Sequence, residues 1–186
     1  MDLVFEVLVD HQEKPHKCTI LPLSDHPGFR IRRFHRGKPI EPMTGQIMLH
    51  PDGEDLSKAP FGGRNHGEPK VPQEGRALLD SGERALGVEP WVLSVIDCNW
   101  RRLPGIIQKI GQPLPRPVRI PEGFVTAYPR RNRQNLDPKD GLATIEAIFI
   151  AAAFMGRYDE GLLERYHWKR DFLELNKKKF QDYELI

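Results

Sequence analysis

The chain has 186 residues, 39% of them hydrophobic and 29% charged, and its 28 basic residues nearly balance 26 acids. With a mean hydropathy of −0.54 and the longest apolar stretch running only from Ala147 to Met155, a membrane span of about 20 apolar residues is excluded, and the length fits one core, or one core with a small lobe. Sixteen glycines and 17 prolines predict stiff loops around that core rather than disorder.

The first predicted element is a strand over Leu3 to Val9, a nearly continuous apolar run that ends at Asp10. Acids at Asp2 and Glu6 and the lack of a basic n-region argue against a signal peptide, which points to the cytosol. Cys18 and Cys98 are the two cysteines, so a disulfide scaffold is excluded and both are expected as thiols. His11, His16 and Cys18 have metal-ligand chemistry, but no fourth ligand follows at a fitting distance, so no metal site is expected. Arg30, Arg32, Arg33, Arg36 and Lys38 alternate with Phe29, Phe34 and His35, with no acid before Glu41. Basic groups interleaved with aromatics suit RNA, whose phosphates need cations and whose unstacked bases need flat apolar faces; a solvated basic surface is the plainer alternative.

A second strand is predicted over Gln46 to Leu49, before the turn residues His50-Pro51-Asp52-Gly53. Ala59 to Gly75 reads as a loop or insertion, and Arg76 to Leu86 as a helix. A third strand spans Trp91 to Ile96. From Arg101 to Lys139 nine basic residues face two acids, a local charge of +7 that the overall balance conceals. Within it, Pro104 to Pro121 holds five prolines and reads as a stiff basic connection. A fourth strand is predicted over Phe124 to Ala127, ending at Tyr128-Pro129. If the sheet is parallel, Asp10, Pro51, Asp97 and Tyr128 share one rim, where open α/β sheets bind ligands. Leu142 to Met155 predicts a buried helix capped by Gly156; another helix begins near Asp159, and Phe172, Leu173, Leu175, Phe180 and Tyr183 mark the apolar face of a last one.

No phosphate loop, dinucleotide-binding glycine motif or nucleophile elbow occurs. The remaining conspicuous segments are Lys17-Cys18-Thr19, Leu49-His50-Pro51, Asp97-Cys98-Asn99-Trp100, Ile120-Pro121, Val125 to Pro129, Leu142 to Ala147, and Trp168 with Phe172-Leu173-Glu174-Leu175-Asn176. In order and spacing these resemble the small-subunit rRNA aminocarboxypropyltransferases of ribosome biogenesis, most closely across Trp91 to Tyr183. The pattern departs from that family at Ile20, Asn99 and Tyr128 to Arg133.

The resemblance implies an α/β, SPOUT-like, trefoil-knotted parallel sheet with helices on both faces. It implies a small N-terminal lobe over residues 1–45 and an S-adenosylmethionine-binding domain over 46–186. The implied reaction moves the 3-amino-3-carboxypropyl group of S-adenosylmethionine to a pseudouridine of rRNA, with rRNA or a small-subunit precursor as partner and a monomer as the acting form. Carried over, Leu49 and Pro51 pack on the adenine, Ile96 meets the ribose, Trp100 shields the methyl group, Thr19 bonds the methionine carboxylate, and Ile120 recognises the adenine edge. Asp97 accepts a proton or orients the nucleotide; as a strand-end acid it also suits the N-cap of the next turn. Arg30, Arg32, Arg33, Arg130, Arg131 and Arg133 are the candidates for RNA phosphates. A SPOUT-type RNA methyltransferase and a non-catalytic RNA-binding assembly factor remain as rivals.

Overall fold

A computed structural model describes residues 3–59, 90–129 and 141–186. Five strands, β1 (Leu3–Asp10), β2 (Phe29–Phe34), β3 (Ile47–Asp55), β4 (Trp91–Asp97) and β5 (Arg116–Arg119), form one sheet in the order β2-β1-β4-β3-β5. Every pairing is parallel. Parallel neighbours require crossovers, and these set all carboxyl ends on one rim. β1 lies between β2 and β4, which explains its apolar run: a strand covered on both faces gains nothing from alternation. Strands from both sides of residue 45 therefore share the sheet.

The helices α1 (Leu103–Ile107), α2 (Thr144–Phe154) and α3 (Lys169–Asp182) complete the α/β layers. One face of the sheet carries the larger core. There Phe5, Val7, Ile47 and Leu93 pack with Ile145, Ile148, Phe149, Phe172 and Phe180. The smaller cluster joins Leu8, Phe34 and Met48 to Ile40, Met43, Ile106 and Ile110. α2 is buried nearly all round, as its apolar composition requires. α3 instead buries Phe172, Asn176 and Phe180, four residues apart on one stripe, and leaves Leu175 exposed. Phe149 meets Tyr158, Phe172 and Phe180 edge-on, an arrangement that adds about 0.5–1.5 kcal/mol per pair beyond the area buried.

Several elements differ from the sequence expectation. Phe124 to Ala127 is not a strand. Its backbone is bonded by side chains instead: Asn176 accepts from Val125 N–H at 2.7 Å and donates to Val125 C=O at 2.8 Å, and Glu146 accepts from Ala127 N–H at 2.8 Å. Conversely, Arg116–Arg119, read as a stiff connection, is the edge strand β5, where Pro117 is tolerated. Phe29–Phe34 is the opposite edge, with Phe29 and Phe34 buried and arginines between them. β3 runs past the predicted turn to Asp55, and residues between Leu49 and Glu54 bulge out of the ladder with β5. Gly53 sits in that bulge, where an added Cβ would lie 2.5 Å from Val118 N, so the close backbone approach requires glycine. The helix expected near Asp159 is a 3-10 turn over Glu160–Leu163, with the Asp159 carboxylate accepting from Gly161 N–H at 2.9 Å. Gly156 takes φ +85° after α2, as expected of a C-terminal cap. The predicted helix over Arg76 to Leu86 and the insertion after Ala59 lie outside the described residues.

No helix among the described residues is long and apolar enough to cross a membrane. Midway along β1, Glu6 is buried and accepts from Ser94 Oγ at 2.7 Å, Thr44 N–H at 2.8 Å and Arg32 Nη2 at 2.8 Å. Burial alone would raise its pKa. The hydrogen bonds from Ser94 and Thr44 and the Arg32 charge outweigh that and hold the carboxyl below its ordinary value.

Candidate functional site

A cavity of 1340 Å³ opens at the carboxyl rim. Four of the five strands contribute to it, through residues of the strand itself or of the segment that follows, and β2 does not. β1 leads to Glu13, Lys17 and Thr19, β3 to Leu49–Pro51, β4 to Ile96–Trp100, and β5 to Ile120–Phe124; Gly141–Thr144 at the start of α2 closes one side. All seven non-arginine residues singled out in the sequence, Thr19, Leu49, Pro51, Ile96, Asp97, Trp100 and Ile120, line this one cavity.

Asp97 ends β4 and ties three segments together. Its Oδ2 accepts from Cys18 Sγ at 2.9 Å, and its Oδ1 accepts from Thr144 Oγ1 at 2.7 Å. Thr144 opens α2, so the carboxylate lies by the positive end of that helix. The capping role open to Asp97 falls instead to Asn99, whose Oδ1 accepts from Arg101 N–H at 3.1 Å. Thr19 Oγ1 accepts from Ile145 N–H at 3.4 Å, which leaves its own proton available to a ligand.

The thiols are proton-holding groups here. Burial, then the adjacent Asp97 charge and its hydrogen bond, push the Cys18 pKa up to about 12; burial and the Asp97, Asp10 and Glu13 carboxylates do the same for Cys98. Neither is poised as a thiolate nucleophile. Glu13 is also raised, by burial first and then by the Asp97 and Asp10 charges, while Arg102 and Lys17 act against the shift.

Two buried groups to which the sequence analysis assigned no site role hold the wall in place. Glu146, with no exposed surface, accepts from Thr126 Oγ1 at 2.6 Å, Ala127 N–H at 2.8 Å, Ala143 N–H at 2.6 Å and Tyr166 Oη at 2.7 Å. Asn176 fixes Val125 as described. Their signal was a single acid in an otherwise apolar helix and a single amide on an aromatic stripe. Tyr128 Oη donates to Lys17 C=O at 3.1 Å and so joins the same wall to the segment after β1.

The arginines divide. Arg32 is committed to Glu6 and also contacts Glu41 and Pro42 C=O, and Arg33 donates to His11 C=O at 2.9 Å. Arg30 is exposed on β2. Arg130, Arg131 and Arg133 lie outside the described residues.

Fold and site together define an all-parallel α/β protein with a large, mixed polar and apolar cavity at its carboxyl rim. No family model, no curated protein and no solved structure matches the chain.

Proposed function

We propose that the protein is an S-adenosylmethionine-dependent RNA-modifying enzyme of the SPOUT-like, knotted class, transferring the aminocarboxypropyl group to a uridine or pseudouridine of rRNA during ribosome biogenesis. The observation that carries the reading is the convergence of Thr19, Leu49, Pro51, Ile96, Asp97, Trp100 and Ile120, drawn from four separate stretches of sequence, on one rim cavity. The residues fit the cofactor's chemistry. Leu49, Pro51 and Ile120 offer apolar surface to a purine, Trp100 offers a flat face to the sulfonium region, and the Thr19 hydroxyl has a proton to give a carboxylate. At 1340 Å³ the cavity exceeds the ~300–1,000 Å³ of ordinary small-molecule pockets, which leaves space for a nucleotide beside the cofactor.

The sulfonium, when bound, supplies an electrophilic carbon; orientation in the pocket decides which substituent faces the nucleophile. Asp97 serves this by position. With one hydrogen bond on each oxygen it is fixed in direction yet keeps lone pairs to receive a proton from the base nitrogen or to hold the base edge.

The test is incubation with rRNA and S-adenosylmethionine labelled in the carboxypropyl chain. Label entering RNA with release of methylthioadenosine is expected. Label arriving only from the methyl position would make it a methyltransferase, and no calorimetric binding at millimolar S-adenosylmethionine would leave a non-catalytic RNA-binding factor.

A further inference from the structure

Beside the cavity, two arginines from different parts of the chain face the buried carboxylate of Asp10, which is 1% exposed at the end of β1, and a third lies by the backbone that follows it. Arg36, after β2, directs both Nε, at 2.6 Å, and Nη2 to Asp10 Oδ2. Arg102 follows β4, and its Nη1 stands 4.0 Å from the same oxygen, beyond hydrogen-bond reach; the side chain is half exposed. Arg33 donates to the carbonyl of His11 next to Asp10. Lys109 donates to the Arg36 carbonyl, and the rings of His11 and His35 lie 4.3 Å apart. Asp10 and Glu13 are the acids facing this group.

The Asp10 carboxylate satisfies one of the two guanidinium groups that face it. Arg36 takes both of its donors to a single oxygen, while the other oxygen accepts from Gln12 N–H at 3.0 Å. Arg102 keeps its donor fork, anchored in charge by Asp10 but hydrogen-bonded to nothing among the described residues. Its place is also informative: Trp100 and Leu103, on either side of it in sequence, both line the cavity.

We propose that Arg102, with Arg36, Arg33 and Lys109 adding positive charge around it, forms a phosphate-binding subsite that takes an RNA backbone phosphate next to the nucleotide in the cavity. This deepens the functional reading and rests on it for the identity of the polymer. It also moves the phosphate contact from the β2 arginines, of which Arg32 is committed to Glu6, to the rim itself.

The experiment is fluorescence anisotropy with a labelled oligouridylate, from about 50 to 200 mM salt. Each phosphate contact on a single strand contributes about 0.7 to the slope of log affinity against log salt, so Arg102→Ala should bind about fivefold more weakly at 0.1 M salt with the slope reduced by ~0.7. Arg170→Ala, on the exposed side of α3, should change neither. Unchanged affinity and slope in Arg102→Ala, or an equal loss in Arg170→Ala, overturns the subsite. A second arm titrates inorganic phosphate: weak competition through Arg102 is expected, whereas phosphate binding lost in Arg102→Ala with oligouridylate affinity intact would overturn RNA as the source. Failure of S-adenosylmethionine to bind, alongside the Arg102 effect, would remove the enzymatic reading and leave the phosphate subsite standing.

Discussion

Replacing Glu146 with glutamine tests how the cavity wall is held. The carboxylate has two oxygens, and each accepts one hydroxyl and one backbone N–H: Oε1 from Tyr166 and Ala127, Oε2 from Thr126 and Ala143. Glutamine keeps one acceptor and turns the other into a donor. A hydroxyl can rotate to accept from the new NH₂ group, but a backbone N–H cannot, so either rotamer leaves Ala127 or Ala143 facing a donor. An orphaned buried donor costs about 1–3 kcal/mol, and losing the charge on the remaining bonds adds ~1 kcal/mol, so a destabilisation of about 3 kcal/mol is expected. For a chain of this length that lowers Tm by roughly 6–12 °C. Urea unfolding followed by circular dichroism gives the free energy, and hydrogen exchange should quicken at the Ala127 and Ala143 amides ahead of the core. A Glu146→Gln protein within about 0.5 kcal/mol of the parent would refute the account, since that is the range of surface substitutions.

Gly53→Ala should cost about 1–3 kcal/mol by urea unfolding, because its methyl group would press on the backbone of Pro117 and Val118 rather than on a movable side chain. Buried Cys18 should resist a disulfide reagent at about pH 8 and react only at the rate of unfolding, while half-buried Cys98, which lines the cavity, should react slowly because a pKa of about 12 leaves little thiolate; fast reaction of Cys18 would contradict its burial. Because both folded pKa values lie above those of the unfolded chain, stability should also decline as pH rises past 9, where only the unfolded state releases the protons. For Glu6 the sign is opposite. Its folded pKa is depressed, so its contribution is complete above about 4.5 and lost as pH falls through the folded value; Glu6→Gln should flatten that part of the acid limb in urea midpoints measured against pH.

What was legible in the sequence followed from composition that allows one reading. β1 and β4 are apolar along their length but for Glu6 and Ser94 before their terminal acids, and α2 is apolar on nearly every side, so burial on both faces was the natural inference. β2 was hidden because its outward positions are arginines, and the pattern of a half-buried strand there also describes an RNA-binding stretch. β5 was hidden by its proline, acceptable only at an edge, and a strand's place in the sheet is a tertiary property. Val125 to Ala127 failed in the other direction. Its apolar residues suggested a ladder, but its hydrogen-bond partners are Asn176 and Glu146, side chains 51 and 19–20 residues away. The rim segments were legible one at a time. That they meet depended on the strand order, which no local pattern encodes.

The strand order also governs how the chain assembles. Leu3 pairs with Trp91, so β1 completes its second edge only after a long loop closes, and the wall segment at Val125 is fastened by a residue of the last helix. Loop closure of this kind is paid before its contacts return anything, which places the protein among slow folders. During synthesis β1 and β2 can pair early, but the apolar edge of β1 stays open until β4 has emerged. An interior strand of the finished sheet is thus the segment most exposed to mispairing while the chain is unfinished, and a competent cavity is among the last features to form.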